Sequence, residues 1–129
     1  MQKELTQRAK EAMKNAYSPY SGYQVGAALL CADGTIYTGC NVENASFGAT
    51  NCAERTAFFK AISEGKREFE AIAICGGKEN EISDSFVPCG ICRQVMSEFC
   101  DESFVIYLVT KNEVQSFRLG ELLPKGFEL

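Results

Sequence analysis

Two short cysteine-bearing segments, each at the predicted start of a helix, constrain most strongly how this chain can fold. One is Cys52-Ala53-Glu54-Arg55, and the other is Pro88-Cys89-Gly90-Ile91-Cys92. Helix N-termini carry partial positive charge and free amide donors, and both favour the thiolate form of a cysteine over the thiol. A fold that brings the two helix starts together would therefore place three thiolates at one point.

The cysteine and histidine counts narrow the chemistry that these segments can carry. The 129-residue chain has seven cysteines and no histidine. An odd number of cysteines, without an apolar signal core at the N-terminus, disfavours a disulfide framework and favours metal or thiol chemistry. The absence of histidine excludes Ser-His-Asp, Cys-His and histidine-ligated metal mechanisms. The cysteines outside the two segments are interpreted as small apolar residues, with a fourth metal ligand among them left open; they are Cys31, Cys40, Cys75 and Cys100.

The pattern of apolar residues predicts a mixed sheet with helices on both faces. Three helices and a short helical turn are predicted, at 5–16, 52–65, 89–99 and 120–123. Five strands are predicted, at 24–31, 35–40, 70–75, 104–110 and 113–118. The segments between them include two polar loops, at 41–51 and 76–87. This order fits an α/β fold with three layers, α/β/α, in which a mixed five-stranded sheet lies between helices, as one domain over 1–129.

Cys52, Cys89 and Cys92 form a candidate zinc site. Cys89 and Cys92 are three residues apart, so their sulfur atoms face one way on a first helical turn and can share a metal. A C-x-x-C pattern alone also occurs in redox pairs and structural zinc sites, and buried free thiols are a further alternative. Three protein ligands leave the fourth tetrahedral position open, which is typical of a catalytic site. A water bound there has its pKa lowered towards ~7.

Glu54 and two arginines complete the chemistry predicted at this site. The water needs a group that takes up its proton, and Glu54, two residues after a ligand, is the natural general acid/base. The alternative role for Glu54 is to stabilise the helix dipole. Three thiolates and one Zn²⁺ carry a formal charge of −1, which works against an acidic water. Arg55, and secondly Arg93, are predicted to compensate this charge by donating hydrogen bonds to sulfur, with ordinary ion pairing as the alternative.

The whole chain resembles the small, homotetrameric, zinc-dependent cytidine deaminases. The resemblance rests on segments in family order and spacing, which are Ser18-Pro19-Tyr20-Ser21, Val25-Gly26-Ala27-Ala28-Leu29, Gly39-Cys40-Asn41-Val42-Glu43-Asn44-Ala45, Cys52-Ala53-Glu54-Arg55-Thr56-Ala57, Pro88-Cys89-Gly90-Ile91-Cys92-Arg93-Gln94-Val95 and Glu121-Leu122-Leu123-Pro124. It implies one zinc ion per chain and hydrolytic deamination of cytidine and deoxycytidine in pyrimidine salvage. In that reaction zinc-bound hydroxide attacks C4, Glu54 shuttles protons to N3 and the leaving amine, and ammonia departs.

The same resemblance implies the contacts with the substrate. Asn41 and Glu43 correspond to the pair that holds the ribose hydroxyls, with loop capping as the alternative. Tyr23 stands where the family usually has a phenylalanine against the pyrimidine, with core or interface packing as the alternative, and the backbone of Ala53 contacts the base. Three further residues are implied to reach the site of a neighbouring subunit, with core or interface packing as the alternative for the aromatic ones; they are Ala45, Phe47 and Phe127. Phe47 replaces a common tyrosine, and Ile91 replaces a usual alanine.

Charge and hydropathy argue against several partners. The net charge of −4 argues against nucleic acid as a partner, and no apolar run is long enough to span a membrane. The expected compartment is the cytoplasm. Two alternatives remain open: a deaminase that acts on nucleic acid or an aminonucleoside antibiotic, and a zinc-stabilised binding module without catalysis. The charge and the loop carrying Asn41 and Glu43 speak against the first, and Glu54 with the open zinc position speaks against the second.

Overall fold

The computed structural model describes residues 1–83 and 88–128, where five strands form one mixed sheet. The strands are β1 (Tyr23–Cys31), β2 (Ile36–Cys40), β3 (Phe69–Lys78), β4 (Val105–Val109) and β5 (Val114–Arg118). Their order across the sheet is β2-β1-β3-β4-β5, with β3 and β4 parallel and all other neighbours antiparallel. The predicted mixed five-stranded sheet is thereby confirmed.

Helices cover both faces of this sheet because its central strands are apolar on both sides. The helices are α1 (Gln2–Met13), α2 (Ala53–Ser63), α3 (Gly90–Phe99) and α4 (Leu119–Leu122). Side chains alternate along a strand, so Ala28 and Leu30 of β1 pack with α1. Ala27 and Leu29 face the other way, into a cluster with Phe58 of α2. Among the described residues, no helix has the length and apolar character needed to cross a membrane.

Two elements, α1 and β3, differ most from their predicted bounds. Helix α1 starts at Gln2 and ends at Met13, whereas the apolar pattern, which begins only at Leu5, predicted 5–16. Strand β3 continues to Lys78, so the loop predicted from residue 76 was wrong for its first three positions. Residues 76–78 pair with β1, and this pairing depends on tertiary structure rather than on local hydropathy. Residues 84–87 of the predicted loop lie outside the described residues.

Gly39 in β2 allows the start of α2 to lie directly on the strand. A Cβ atom at Gly39 would lie 2.5 Å from the carbonyl oxygen of Ala53 and 2.6 Å from the amide nitrogen of Ala57. Both are backbone atoms of α2, so no side-chain rotation could relieve the clash. The missing side chain therefore fixes the distance between the sheet and the helix start that carries Cys52 and Glu54.

Gly39→Ala should destabilise the protein because the added methyl group must push α2 away from the sheet. Overpacking of this kind costs about 1–3 kcal/mol, and we expect a lower unfolding midpoint in urea together with a lower zinc content. Gly48→Ala is the matched control, since a Cβ there meets no atom of the described residues within 4 Å, and it should unfold like the parent protein. Equal midpoints for all three proteins would contradict the close seating of α2.

Candidate metal centre and active site

The starts of α2 and α3 bring the three predicted cysteines together. Cys52 and Cys89 immediately precede the two helices, and Cys92 lies in the first turn of α3. The Sγ atoms of Cys52 and Cys89 are 3.7 Å apart, and those of Cys89 and Cys92 are 3.2 Å apart. All three atoms lie within 4.8 Å of one another, and in the described part of the chain this is the one group of ligand side chains placed to hold a metal ion.

The sulfur positions fit a zinc ion. With Zn–S bonds of about 2.3 Å, two sulfur atoms at a tetrahedral angle are roughly 3.8 Å apart. The 3.7 Å between Cys52 and Cys89 matches this spacing, and the Cys89 and Cys92 sulfur atoms, at 3.2 Å, lie closer than it. The other cysteines lie elsewhere: Cys31 and Cys75 are buried in the two core clusters. Burial raises the pKa of both thiols, as expected for unreactive core residues. The group of three cysteines therefore leaves one tetrahedral position for a small molecule.

Arg55 supplies positive charge to this sulfur cluster. Its Nη2 atom donates to Sγ of Cys52 and to the carbonyl of Thr50, each at 3.4 Å. In the metal-free protein, hydrogen bonds from Cys92 and Arg55 lower the pKa of Cys52 to about 5. Because the thiols of Cys52 and Cys92 share a proton, the same interaction raises the pKa of Cys92. The negative charge is thus concentrated on Cys52, next to Arg55.

Glu54 is buried beside the cysteines and keeps one oxygen without a partner. Its side chain is 2% exposed, and Oε1 accepts no hydrogen bond from any described residue. Burial, and to a smaller extent the nearby charge on Cys52, raise the pKa of this carboxyl to about 7. A carboxylate that served only the helix dipole would have a lowered pKa instead. The environment therefore suits a group that takes up and releases protons near neutral pH.

Arg93 follows Cys92 in the sequence, but its guanidinium group binds backbone oxygens. Nε donates to the carbonyl of Pro88 at 2.9 Å, and Nη1 donates to the carbonyl of Leu122 at 2.8 Å. These contacts fasten the start of α3 to the end of α4. The prediction that Arg93 compensates the charge at zinc gains no support from them and stays a prediction.

The side chain of Asn41 forms hydrogen bonds with the backbone at the start of β1. Its Oδ1 atom accepts a hydrogen bond from the amide of Val25, and its Nδ2 atom donates to the carbonyl of Tyr23, both at 2.8 Å. These bonds match the loop-capping alternative. An amide group has two hydrogens and two carbonyl lone pairs, so each end of Asn41 retains capacity for a further bond.

Glu43 closes the turn that precedes β1. Oε1 accepts from the amides of Tyr20 and Ser21 at 2.9 and 3.1 Å, and Oε2 accepts from the Ser21 hydroxyl. The Ser21 hydroxyl and these amides lower the pKa of Glu43, so its carboxylate stays ionised. Oε2 keeps lone pairs for a further donor.

A pocket of about 280 Å³ opens beside Glu43. Two predicted site residues, Glu43 and Phe47, line it. Three residues that had no predicted role complete the lining: Tyr20, Ser21 and Thr50. Arg55 binds both the Thr50 carbonyl and the Cys52 sulfur, which connects one wall of the pocket to the metal centre. The role of Ser21 was not predicted, because its contact with Glu43 joins segments far apart in the sequence.

The remaining predicted site residues divide into inner and outer positions. Ala53 is fully buried as the first residue of α2, and the Tyr23 hydroxyl lies 3.1 Å from the Ser83 hydroxyl.

Phe47 and Phe127 are 82% and 67% exposed, and Ala45 is also exposed. Packing in the core of the same chain is therefore excluded for both phenylalanines. Ile91 is likewise exposed, so its bulk faces away from the metal centre.

The fold and the site define a zinc protein of the deaminase type, with a three-thiolate centre beside a buried acid. A family model, the cytidine and deoxycytidylate deaminase zinc-binding region, matches residues 1–108. The chain belongs to this family, which confirms the resemblance found in the sequence and zinc as the cofactor.

Individual relatives match over nearly the whole chain. The cytidine deaminase of Sporosarcina psychrophila is 50% identical over 124 residues, covering 95% of this chain and 88% of that protein. The cytidine deaminase of Halalkalibacterium halodurans is 48% identical, covering 95% and 91%. The crystal structure of cytidine deaminase from Burkholderia pseudomallei superimposes with a TM-score of 0.89 at 44% identity, covering 98% of this chain and 99% of that one.

Proposed function

We propose that this chain is a hydrolase of pyrimidine salvage in the cytoplasm. It converts cytidine and deoxycytidine to uridine and deoxyuridine and releases ammonia. The observation that carries the proposal is the buried carboxyl of Glu54, whose Oε1 has no partner among the described residues, beside three sulfur atoms placed for zinc. A purely structural zinc site has no use for a buried acid of this kind, whereas hydrolysis of an amidine needs one.

Each residue of the site has a separate role in the proposed deamination. Cys52, Cys89 and Cys92 would hold the zinc ion, which would supply the Lewis acidity that makes water a nucleophile near neutral pH. Glu54 takes a proton from the water that adds to C4 of cytosine and gives it to N3. Glu54 then takes the second proton from the hydroxyl now on C4 and passes it to the amino group, which leaves as ammonia as the C4–N bond breaks and the C4 carbonyl forms. The backbone of Ala53 contacts the base, and Tyr23 packs near it.

The Glu43 pocket favours a nucleoside over a nucleotide. Glu43 is ionised and can only accept hydrogen bonds, and the Ser21 hydroxyl already donates to it. The Thr50 hydroxyl is engaged with the backbone of Asn44. An ionised carboxylate accepts hydrogen bonds from hydroxyl groups and repels phosphate. We therefore assign Glu43 and Asn41 to the ribose hydroxyls and expect weak activity on deoxycytidylate.

A substrate panel tests this function. Purified protein with zinc measured on the same sample should release ammonia from cytidine and deoxycytidine, with kcat/KM for deoxycytidylate lower by at least about tenfold, as for one unfavourable polar contact. Zinc-loaded protein that releases no ammonia from any of the three would favour a binding module. Preferential turnover of an aminonucleoside antibiotic, or of cytosines within single-stranded nucleic acid, would favour the other alternative.

Arg55→Gln should lower activity because the Cys52 thiolate loses its guanidinium donor and the zinc becomes more electron-rich. Loss of a group that supports a metal ligand typically costs 10–100-fold, and we expect kcat to fall by about that much. Arg93→Gln is the comparison variant: its contacts are to backbone oxygens, so it should lower the unfolding midpoint more than kcat. Full activity of Arg55→Gln would instead assign the compensation to Arg93 or the helix dipoles.

Association into a homotetramer would account for the exposed aromatic residues. Phe47 and Phe127 lie at the surface of the single chain, and exposed apolar groups of this size often mark interfaces. In this assembly Ala45, Phe47 and Phe127 approach the site of a neighbouring copy. Sedimentation analysis of the zinc-loaded protein tests the assembly, and a monomer with full activity would contradict it.

A further inference from the structure

The C-terminal segment is fastened to the helix that carries two of the three zinc ligands. Arg93 and Gln94 directly follow Cys92 in α3, and both bind the segment after β5. Arg93 donates to the carbonyl of Leu122, and Gln94 binds Phe127. Consecutive residues of the metal-binding helix therefore hold the two ends of the segment from 122 to 127.

Gln94 holds both backbone polar groups of Phe127. Its Nε2 atom donates to the carbonyl of Phe127 at 3.0 Å, and its Oε1 atom accepts from the amide of Phe127 at 3.2 Å. Such a pair of bonds needs a donor and an acceptor at the end of one side chain, which a glutamine amide supplies and a carboxylate does not. The pair fixes the backbone of Phe127 and leaves only its ring free to point away.

The path of the chain before Phe127 is equally restricted. Lys125 has a φ of 58°, in the left-handed region that costs energy for a residue with a side chain. A Cβ atom at Gly126 would lie 2.8 Å from Oγ of Ser97, so the chain passes close to α3 one turn beyond Gln94. The segment therefore packs against α3 at Gln94 and Ser97, although the Phe127 residue remains 67% exposed to solvent. The backbone of Phe127 is held in place although its aromatic ring is exposed. Burial of the ring within the same chain therefore does not stabilise this ordered conformation.

We propose that Gln94 is a positioning residue that presents the Phe127 ring to the nucleoside bound in a second copy of the chain. Arg93 and Gln94 place this ring at a fixed distance from the zinc centre of their own chain. Each copy would thereby supply the aromatic wall of its neighbour's pocket from the helix that holds its own metal. This inference rests on the proposed nucleoside deaminase activity and on the assignment of Phe127 to the neighbouring site.

Gln94→Met tests the proposal, because methionine keeps the length of the side chain and removes both hydrogen bonds. In the zinc-loaded enzyme we expect KM for cytidine to rise about tenfold, the scale of one or two lost hydrogen bonds. Zinc content and kcat should change by less than about twofold. Gln115→Met is the matched control, since Gln115 is exposed on β5 and its side chain donates to the neighbouring Glu113; it should leave KM unchanged.

A double-mutant cycle with Phe127→Ala separates positioning from a direct role. If Gln94 acts through the ring, Gln94→Met should add nothing to the KM of Phe127→Ala. Independent, multiplying effects would overturn the proposal, as would an unchanged KM in Gln94→Met or a loss of zinc from that variant.

Hydrogen exchange at the Phe127 amide tests, without any substrate, the clamp formed by the two hydrogen bonds between Gln94 and the backbone of Phe127. Exchange should be about tenfold faster in Gln94→Met than in the parent protein, since the bond to Oε1 is lost. Unchanged exchange would overturn the proposal even if cytidine is a substrate. Faster exchange in a protein that does not deaminate cytidine would instead mean that the proposed function fails while the clamp exists.

Discussion

Glu54→Gln should retain one zinc ion per chain and lose almost all turnover. Glutamine has the shape of glutamate but cannot take up or release a proton at neutral pH, and general acid–base catalysis typically contributes 10²–10⁴-fold. We therefore expect kcat for cytidine to fall by about 10³-fold, with zinc content unchanged. Glu64→Gln, at the exposed end of α2, makes the same chemical change away from the site and should match the parent enzyme.

The burial of Glu54 explains why this effect should be catalytic rather than structural. The carboxyl is 2% exposed, and its Oε1 has no partner among the described residues. A neutral glutamine at this position removes the cost of burying a charge, so the variant should be at least as stable as the parent. Loss of zinc and activity in equal measure would mean that Glu54 supports the fold, and the assignment would then be wrong.

Cys52→Ser should remove zinc and activity together. Loss of an outer partner of a metal ligand already costs up to about 100-fold in metal affinity, so we expect a weakening greater than this when a thiolate itself is removed. Cys40→Ser is the matched control, because Cys40 is a half-buried residue of β2 outside the three-cysteine group. It should keep one zinc ion per chain and full activity.

The cysteine cluster should also make zinc affinity depend on pH. Zinc binds thiolates, and in the metal-free protein the pKa of Cys92 is raised by its hydrogen bond with Cys52 and by burial. Zinc binding must therefore release a proton from this thiol. The apparent affinity should fall as the pH falls, and proton release measured on zinc addition should be absent in Cys52→Ser. Zinc retained by Cys52→Ser at unchanged affinity would contradict the three-thiolate site.

The metal site could be predicted from the sequence because local rules place its parts. Cys89 and Cys92 are brought to one side of a first helical turn by their spacing, and Cys52 precedes a second helix. Each of these positions follows from helix geometry. Only the meeting of the two helix starts requires the sheet, and the apolar strands that build it were also visible in the sequence.

The contacts that the sequence did not reveal all join distant segments. The Ser21 hydroxyl binds Glu43, and Gln94 binds the backbone of Phe127. The direction of the Arg93 side chain, towards Leu122 rather than sulfur, depends on where α4 ends. The continuation of β3 through Gly77 depends on its partner strand. None of these leaves a local pattern of spacing or hydropathy, so single-sequence reasoning had no signal for them.

Zinc titration with activity measured at each step tests the central claim most directly. Protein stripped of zinc should not deaminate cytidine, and each added equivalent should restore ammonia release in proportion until one zinc ion per chain is bound. Glu54→Gln should bind the same single equivalent without gaining activity. Deamination by the zinc-free protein, or full zinc loading of the parent enzyme without ammonia release, would contradict a catalytic zinc held by Cys52, Cys89 and Cys92 beside Glu54.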